Sequence, residues 1–171
     1  MNRINIQYYK ILNTELILGS YGDALCLADW RYRKNRDAID KRLQKALGAG
    51  YVEETSETIE KTIKQLNEYI TGRREVFEMP LLMCGTSFQK SVWKGLMQIP
   101  FGETASYLEL AKRIGNEKAV RAVASAVGAN AVSLLIPCHR IIGSDGSLTG
   151  YAGGLEVKKK LLELEQDLFT V

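Results

Sequence analysis

The chain holds a single histidine, and it stands between a cysteine and an arginine in Ile136-Pro137-Cys138-His139-Arg140-Ile141-Ile142. A free thiol has a pKa of about 8.5 and is only a few per cent thiolate at neutral pH. A nearby cation, or an imidazole acting as base, raises that fraction and makes the cysteine a nucleophile. These residues therefore point to covalent chemistry at Cys138, activated by the neighbouring cation or by His139 as base. A buried cysteine beside a buried histidine, with no chemistry, is the plainer alternative. The apolar run Val132 to Ile136 reads as a short strand ending at Pro137. Neighbouring side chains on a strand point to opposite faces, so Cys138 and His139 need a turn at Pro137 or a bridging water to cooperate.

The same counts exclude other chemistry. With one histidine, no two can share a zinc ion, which removes the histidine-rich catalytic metal sites. The three cysteines, Cys26, Cys84 and Cys138, lie more than fifty residues apart and lack the short knuckle spacing of structural zinc sites. No metal and no cofactor is expected. An odd cysteine count and the polar start MNRINIQYYK suit a reducing cytoplasm better than a secreted disulfide scaffold. No run approaches the roughly eighteen apolar residues of a membrane span, so no membrane partner is expected. The 171 residues, 46% hydrophobic and 25% charged, suffice for one or two compact domains.

Several elements must position the motif. Ile4 to Tyr9 and Glu15 to Gly19 read as strands, and a turn at Ser20 to Asp23 leads into Ala24 to Trp30 as a hairpin partner. Arg36 to Leu47 reads as a helix stopped by Gly48-Ala49-Gly50. Ile59, Ile63, Leu66 and Ile70 form one apolar stripe on a helix from Glu57 to Tyr69. Beyond Cys84 a helix from Ser87 to Gln98 is expected to bury Phe88, Val92, Trp93 and Met97, and Pro100-Phe101-Gly102 ends it. Tyr107 to Ile114, a Gly115-Asn116 turn and Glu117 to Ala129 fit a helix-turn-helix. A turn at Ser144 to Gly146, a glycine-rich stretch and a last helix from Leu155 to about Gln166 complete the chain. The boundary between two domains is placed at residues 85 and 86.

The net charge is +3, and residues 90–140 carry seven basic against three acidic side chains. That is compatible with an anionic partner, and equally with a solvated helical surface. The second helix of the pair is nearly all small or β-branched residues with one long cation, Arg121. It is poor in the Arg, Asn, Gln and Lys side chains that read base edges in the major groove. Small side chains let a helix about 10 Å across approach a minor groove only about 6 Å wide. They serve equally well to pack against a neighbouring helix.

From Gly85 to Glu165, roughly half the chain, the sequence resembles the O6-alkylguanine-DNA alkyltransferases, also called methylated-DNA–protein-cysteine methyltransferases. The resemblance is carried by Ile136 to Ile142, Thr86-Ser87-Phe88-Gln89, Ile99-Pro100-Phe101-Gly102-Glu103-Thr104, Ser106-Tyr107, Lys118 to Val123 and Gly150-Tyr151-Ala152-Gly153-Gly154. It implies an α+β protein in two parts. Residues 1–85 would form a ribonuclease H-like α/β domain that braces the rest. Residues 86–171 would form a mainly helical, winged helix-turn-helix-like domain that binds DNA and accepts the alkyl group.

The resemblance also assigns roles. Cys138 would accept the alkyl group of O6-alkylguanine, and of O4-alkylthymine, in a single turnover. His139 would take the thiol proton through a water, and Glu165 would orient the imidazole. Glu163 is the rival carboxylate, but two helical steps turn it some 200° away from Glu165. Asn130 would be the hinge between the DNA-reading helix and the active-site loop. Arg121 would enter the base stack in place of the extruded nucleotide, with Ala122, Ala124 and Ser125 on the same minor-groove surface. Tyr107 would crowd the neighbouring phosphate and donate to the departing guanine. Tyr151, Ala152, Gly153 and Gly154 would wall the base pocket. The implied partner is double-stranded DNA, bound by a monomer.

Two departures from the family pattern stand out. Asn130-Ala131-Val132-Ser133 replaces the Asn-Pro-x-Pro of many relatives, which bears on how bulky alkyl groups are gripped, and Ala152 stands where some carry serine. Some relatives hold zinc in the N-terminal domain, but residues 1–85 here contain no histidine, so none is expected. Cys26 and Cys84, outside the signature, are expected to stay unalkylated. A non-catalytic lesion-binding relative would have its acceptor cysteine replaced, often by tryptophan. A Cys-His-Glu hydrolase would leave Arg121 and the small-residue helix unexplained. A transcription factor would need more base-reading side chains.

Overall fold

The computed structural model describes residues 2–167, so the final residues of the expected C-terminal domain, 168–171, lie outside the described residues. The protein is of mixed α+β class, with six α-helices and a four-stranded sheet among the described residues. It divides into two compact units, Met1–Cys84 and Gly85–Val171.

In the first unit, β1 (Arg3–Ile11), β2 (Thr14–Tyr21) and β3 (Ala24–Trp30) form an antiparallel meander. The β1–β2 turn is Leu12-Asn13, both with positive φ (49° and 62°). Such two-residue turns match the strand twist, but leucine is a poor signal for them, so the sequence pattern shows only the second hairpin. After α1 (Arg36–Leu47), β4 (Gly50–Glu53) returns parallel to β1, giving the order β3-β2-β1-β4. At four residues, three of them exposed or half-exposed polar or glycine positions, β4 has too little alternation to be read beforehand.

Helix α2 (Glu57–Ile70) is capped by the Ser56 hydroxyl, which accepts from the Ile59 N–H. Its buried face runs through Thr58, Ile59, Thr62, Gln65, Leu66 and Tyr69, while Ile63 and Ile70 are only half-buried. The face is turned from the expected stripe because Thr62 and Gln65 satisfy their polar atoms on the Thr58 and Glu78 carbonyls. Cys26 is buried, and burial, with Cys84 adding to it, pushes its thiol up to about 12. A thiol so held is unreactive at neutral pH.

The second unit begins with α3 (Ser87–Leu96), opened by a capping box between Thr86 and Gln89. The helix ends two residues before the expected Gln98. Leu96 rather than Met97 turns inward, leaving Met97 44% exposed, and Phe88 is half-buried. Trp93 is buried, and its indole N–H donates to the Ala126 carbonyl at 2.8 Å. That bond ties α3 to α5 (Val120–Gly128). Gly95 lets α4 (Tyr107–Arg113) come close, since a Cβ there would meet Leu110 and Ile114 side chains at 2.9 Å.

The expected helix from Glu117 to Ala129 is in two pieces. A 3-10 turn, Glu117–Ala119, precedes α5. The expected strand from Val132 to Ile136 is not formed. The run holds isolated bridges, one of them joining Ser133 to Ile136, and Leu134 sits at φ 73°. The run is apolar because it is buried as a coiled loop, and burial alone does not distinguish a loop from a strand. A short parallel pair, β5 (Ala105–Ser106) and β6 (Ile141–Ile142), sets the start of α4 against the last two residues of the motif. Helix α6 (Leu155–Asp167) closes the unit. Among the described residues, no helix is long and apolar enough to cross a membrane.

Candidate active site

Cys138, His139 and Arg140 form a single 3-10 turn rather than the end of a strand. Successive side chains on such a turn diverge by about 120° instead of 180°. All three are buried, at 6%, 0% and 6% exposure. The loop that feeds this turn is held by Asn130, whose side chain donates to the Ile136 carbonyl at 3.0 Å and accepts from the Val132 N–H at 2.9 Å. Asn130→Ala would strand the Val132 N–H in the interior, at about 1–3 kcal/mol, and remove one of the two bonds to the Ile136 carbonyl, which keeps the Cys138 N–H, at about 1 kcal/mol. We expect a fall in unfolding free energy of about 2–4 kcal/mol, read from the denaturant midpoint.

Glu165, on α6, is fully buried beneath the turn. One oxygen accepts from His139 Nε2 at 2.7 Å and from Arg140 Nη2 at 3.0 Å; the other accepts from Arg140 Nε at 2.9 Å and the Gly102 N–H at 3.2 Å. Arg140 Nη1 also donates to the Ile99 carbonyl at 2.7 Å. Burial alone would raise the Glu165 carboxyl, but its hydrogen bond with His139 and the Arg140 guanidinium hold it down at about 2. The alternative carboxylate, Glu163, is exposed and faces Lys159 at 3.9 Å.

The protonation pattern follows. Burial pulls His139 below its ordinary value of 6.5, so the ring is neutral at pH 7 and Arg140 supplies the positive charge that keeps Glu165 ionised. An ionised carboxylate only accepts, so Nε2 of the neutral ring carries the hydrogen and Nδ1 carries the lone pair. Nδ1 is buried and has no hydrogen-bond partner among the described residues. The turn therefore presents a thiol and, one residue on, an unengaged basic nitrogen whose tautomer is fixed from behind.

Other expected site residues lie on neighbouring elements. Tyr107 is the first residue of α4 and half-buried, behind a Ser106–Glu109 capping box. On α5, Val123, Ala126 and Val127 face the core while Arg121, Ala122, Ser125 and Gly128 are exposed and Ala124 is half-buried. Small residues thus lie on both the packed and the exposed face of one helix. Tyr151 to Gly154 form a turn closed by the Gly154 N–H on the Tyr151 carbonyl, and its last residue has φ 93°. The sequence reading brought Cys138, His139 and Glu165 together, and the structure sets His139 and Glu165 in direct contact. It took Arg140 as a cation flanking Cys138 and missed its pairing with Glu165, and it missed the Gly102 N–H, which no side-chain pattern reveals. It also missed Lys158, which is 1% exposed and lies two turns before Glu165 on α6.

A family described as "6-O-methylguanine DNA methyltransferase, DNA binding domain" matches residues 87–167. A methylated-DNA–protein-cysteine methyltransferase of Methanosarcina barkeri is 40% identical over 160 residues, 94% of this chain and 98% of that protein. The crystal structure of Mycobacterium tuberculosis O6-methylguanine methyltransferase is similar with a TM-score of 0.81 at 34% identity, covering 96% of this chain and 93% of that one. The M. tuberculosis protein in complex with DNA is similar at 35% identity and a TM-score of 0.81, over 97% and 94% of the two chains.

Proposed function

The chain belongs to the methylated-DNA–protein-cysteine methyltransferase family, and on that premise we propose that it repairs O6-alkylguanine in DNA by moving the alkyl group onto its own Cys138. The observation that carries this reading is the buried Cys138–His139–Glu165 arrangement, with Nδ1 of His139 unpartnered and basic. The Cys138 proton passes to Nδ1 through a water, and the thiolate attacks the alkyl carbon. A sulfur–carbon bond forms as the O6–carbon bond breaks, and guanine leaves with a proton donated by Tyr107. Glu165 stabilises the imidazolium that results, and Arg140 keeps Glu165 in place and ionised. A thioether is not readily hydrolysed, so each molecule acts once.

The target atom is stacked inside the duplex, so the nucleotide must be extruded at a cost of a few kcal/mol. The exposed, small-residue face of α5 supports docking in the minor groove, with Arg121 filling the emptied position in the stack. Tyr151, Ala152, Gly153 and Gly154 would line the pocket that receives the base, and O4-alkylthymine is included as a second substrate. The pairing of β5 with β6 beside α4 and α5 supports the winged helix-turn-helix reading of residues 86–171. The β-β-β-α-β-α order of the first unit supports a ribonuclease H-like domain with a bracing role, over residues 1–85. The reading places a monomer in the reducing cytoplasm. Presence of Cys138 weighs against a non-catalytic lesion-binding protein.

Titration of an O6-methylguanine duplex with the protein tests this. Restored guanine should plateau at one per protein molecule, and Cys138→Ser should restore none; continued turnover would contradict the reading.

A further inference from the structure

We infer that Lys158 is a positioning residue of the alkyl-transfer site: its buried ammonium ties the Thr149 carbonyl to α6 and holds a positive charge within electrostatic reach of Cys138. This rests on the reading of Cys138 as the alkyl acceptor. Lysine is almost never fully buried unless paired. Lys158 is 1% exposed, has no carboxylate partner among the described residues, and donates only to Thr149 O, at 3.0 Å. Burying an ammonium with so little compensation is expensive, and the cost needs an offset.

The placement supplies one. Lys158, Leu161, Leu162 and Glu165 fall at i, i+3, i+4 and i+7 on α6, so one helix face carries the carboxylate that meets His139 and, two turns earlier, the ammonium. The charged groups that act on this turn are Arg140 from the turn itself, and Glu165 and Lys158 from α6; all three act on His139, and Lys158 also interacts with Cys138. Arg140 is committed to Glu165 in a bidentate pair, and His139 is neutral, so those three nearly cancel. Lys158 is the uncancelled charge. Burial draws its own titration downward, and a negative Cys138 draws it back up. Coulomb attraction is mutual, so the same ammonium favours the Cys138 thiolate. The bond to Thr149 fixes the glycine-rich segment between β6 and α6, in which Thr149 Oγ1 is itself buried and without a hydrogen-bond partner among the described residues.

The test uses the full chain with Lys158→Met, which keeps most of the volume, and Lys158→Arg, which keeps the charge. Carboxamidomethylation of Cys138 by iodoacetamide, without DNA, is followed against pH by peptide mass. Lys158→Met should react about tenfold more slowly at pH 7, with its profile displaced about one unit upward. Lys158→Arg should recover most of the difference. Methyl transfer from saturating duplex should slow in parallel, with duplex affinity unchanged. A Lys158→Met profile that overlays the parent, or a Lys158→Arg profile no different from that of a folded Lys158→Met, would overturn the assignment. Should Lys158→Met fail to fold, a Lys158→Arg profile displaced as far as one unit would overturn it as well. If the parent protein takes no methyl from DNA yet the iodoacetamide profile shifts as stated, the alkyl-transfer reading fails and the charge assignment stands.

Discussion

Glu165→Ala is expected to cost about 3–5 kcal/mol of unfolding free energy, because it leaves the Arg140 guanidinium and the His139 N–H buried without their acceptor. Chemical denaturation near pH 7 reads this directly. The dependence on pH has a definite sign. The Glu165 carboxyl lies at about 2 in the folded protein against an ordinary 4.5, so its stabilisation is complete above about pH 4.5 and is lost as pH falls toward 2. The gap between parent and variant should close over that window. His139 adds to acid sensitivity earlier, since the unfolded chain takes up a proton below 6.5 that the buried ring resists. Glu165→Gln, assayed where the variant is folded, tests the chemistry at the same position. Its amide can donate to Nε2, which moves the ring hydrogen to Nδ1 and removes the base; methyl transfer should fall about 10²–10⁴-fold. A parent-like rate in Glu165→Gln would contradict the part given to the Glu165 charge in stabilising the imidazolium.

The second large effect is selective. Arg121 is exposed on α5 and has no described partner, so Arg121→Ala should leave stability within about 0.5 kcal/mol of the parent. Its loss should fall on extrusion of the nucleotide, worth a few kcal/mol, which is about 30- to 1000-fold in the rate on duplex. Reaction with free O6-alkylguanine, which needs no extrusion, should change by less than about twofold. Equal losses on both substrates would remove Arg121 from the flipping step.

How far the sequence could be read depended on where the physics was local. Helices with local signals, such as the apolar spacing of α2 and the Gly115-Asn116 stop after α4, were legible because each signal lies within a few residues. The end of α3 was less so: Leu96 and Met97 are equally apolar, and only the packing of Trp93 and α5 selects which turns inward. Val132 to Ile136 reads as a strand because its composition reports burial and not hydrogen bonding, whereas the Asn130 side chain takes the backbone bonds that a strand would have used. The two-residue turn at Leu12-Asn13 is set by the strands on either side, against the preference of leucine.

The site divides in the same way. Cys138, His139 and Arg140 are adjacent and were visible at once, but Glu165 came from resemblance, and only the fold shows that it, rather than Glu163, meets the imidazole. Arg140 read as a cation beside Cys138 with no stated partner, and Lys158 as one more basic residue. Their burial, and with it their importance, is set by elements distant in sequence: Ile99 and Glu165 for the one, Thr149 for the other. The single histidine first served to exclude metals. In the fold it is the only imidazole available to Cys138, so no neighbour can substitute for it.

The central claim is that Cys138 keeps the alkyl group. The direct measurement is the mass of the proteolytic peptides after incubation with a duplex carrying one O6-methylguanine. One methyl group on the peptide containing Cys138, with those of Cys26 and Cys84 unchanged, is the predicted result. An unmodified Cys138 peptide alongside restored guanine, or a methyl group found on another residue, would contradict it.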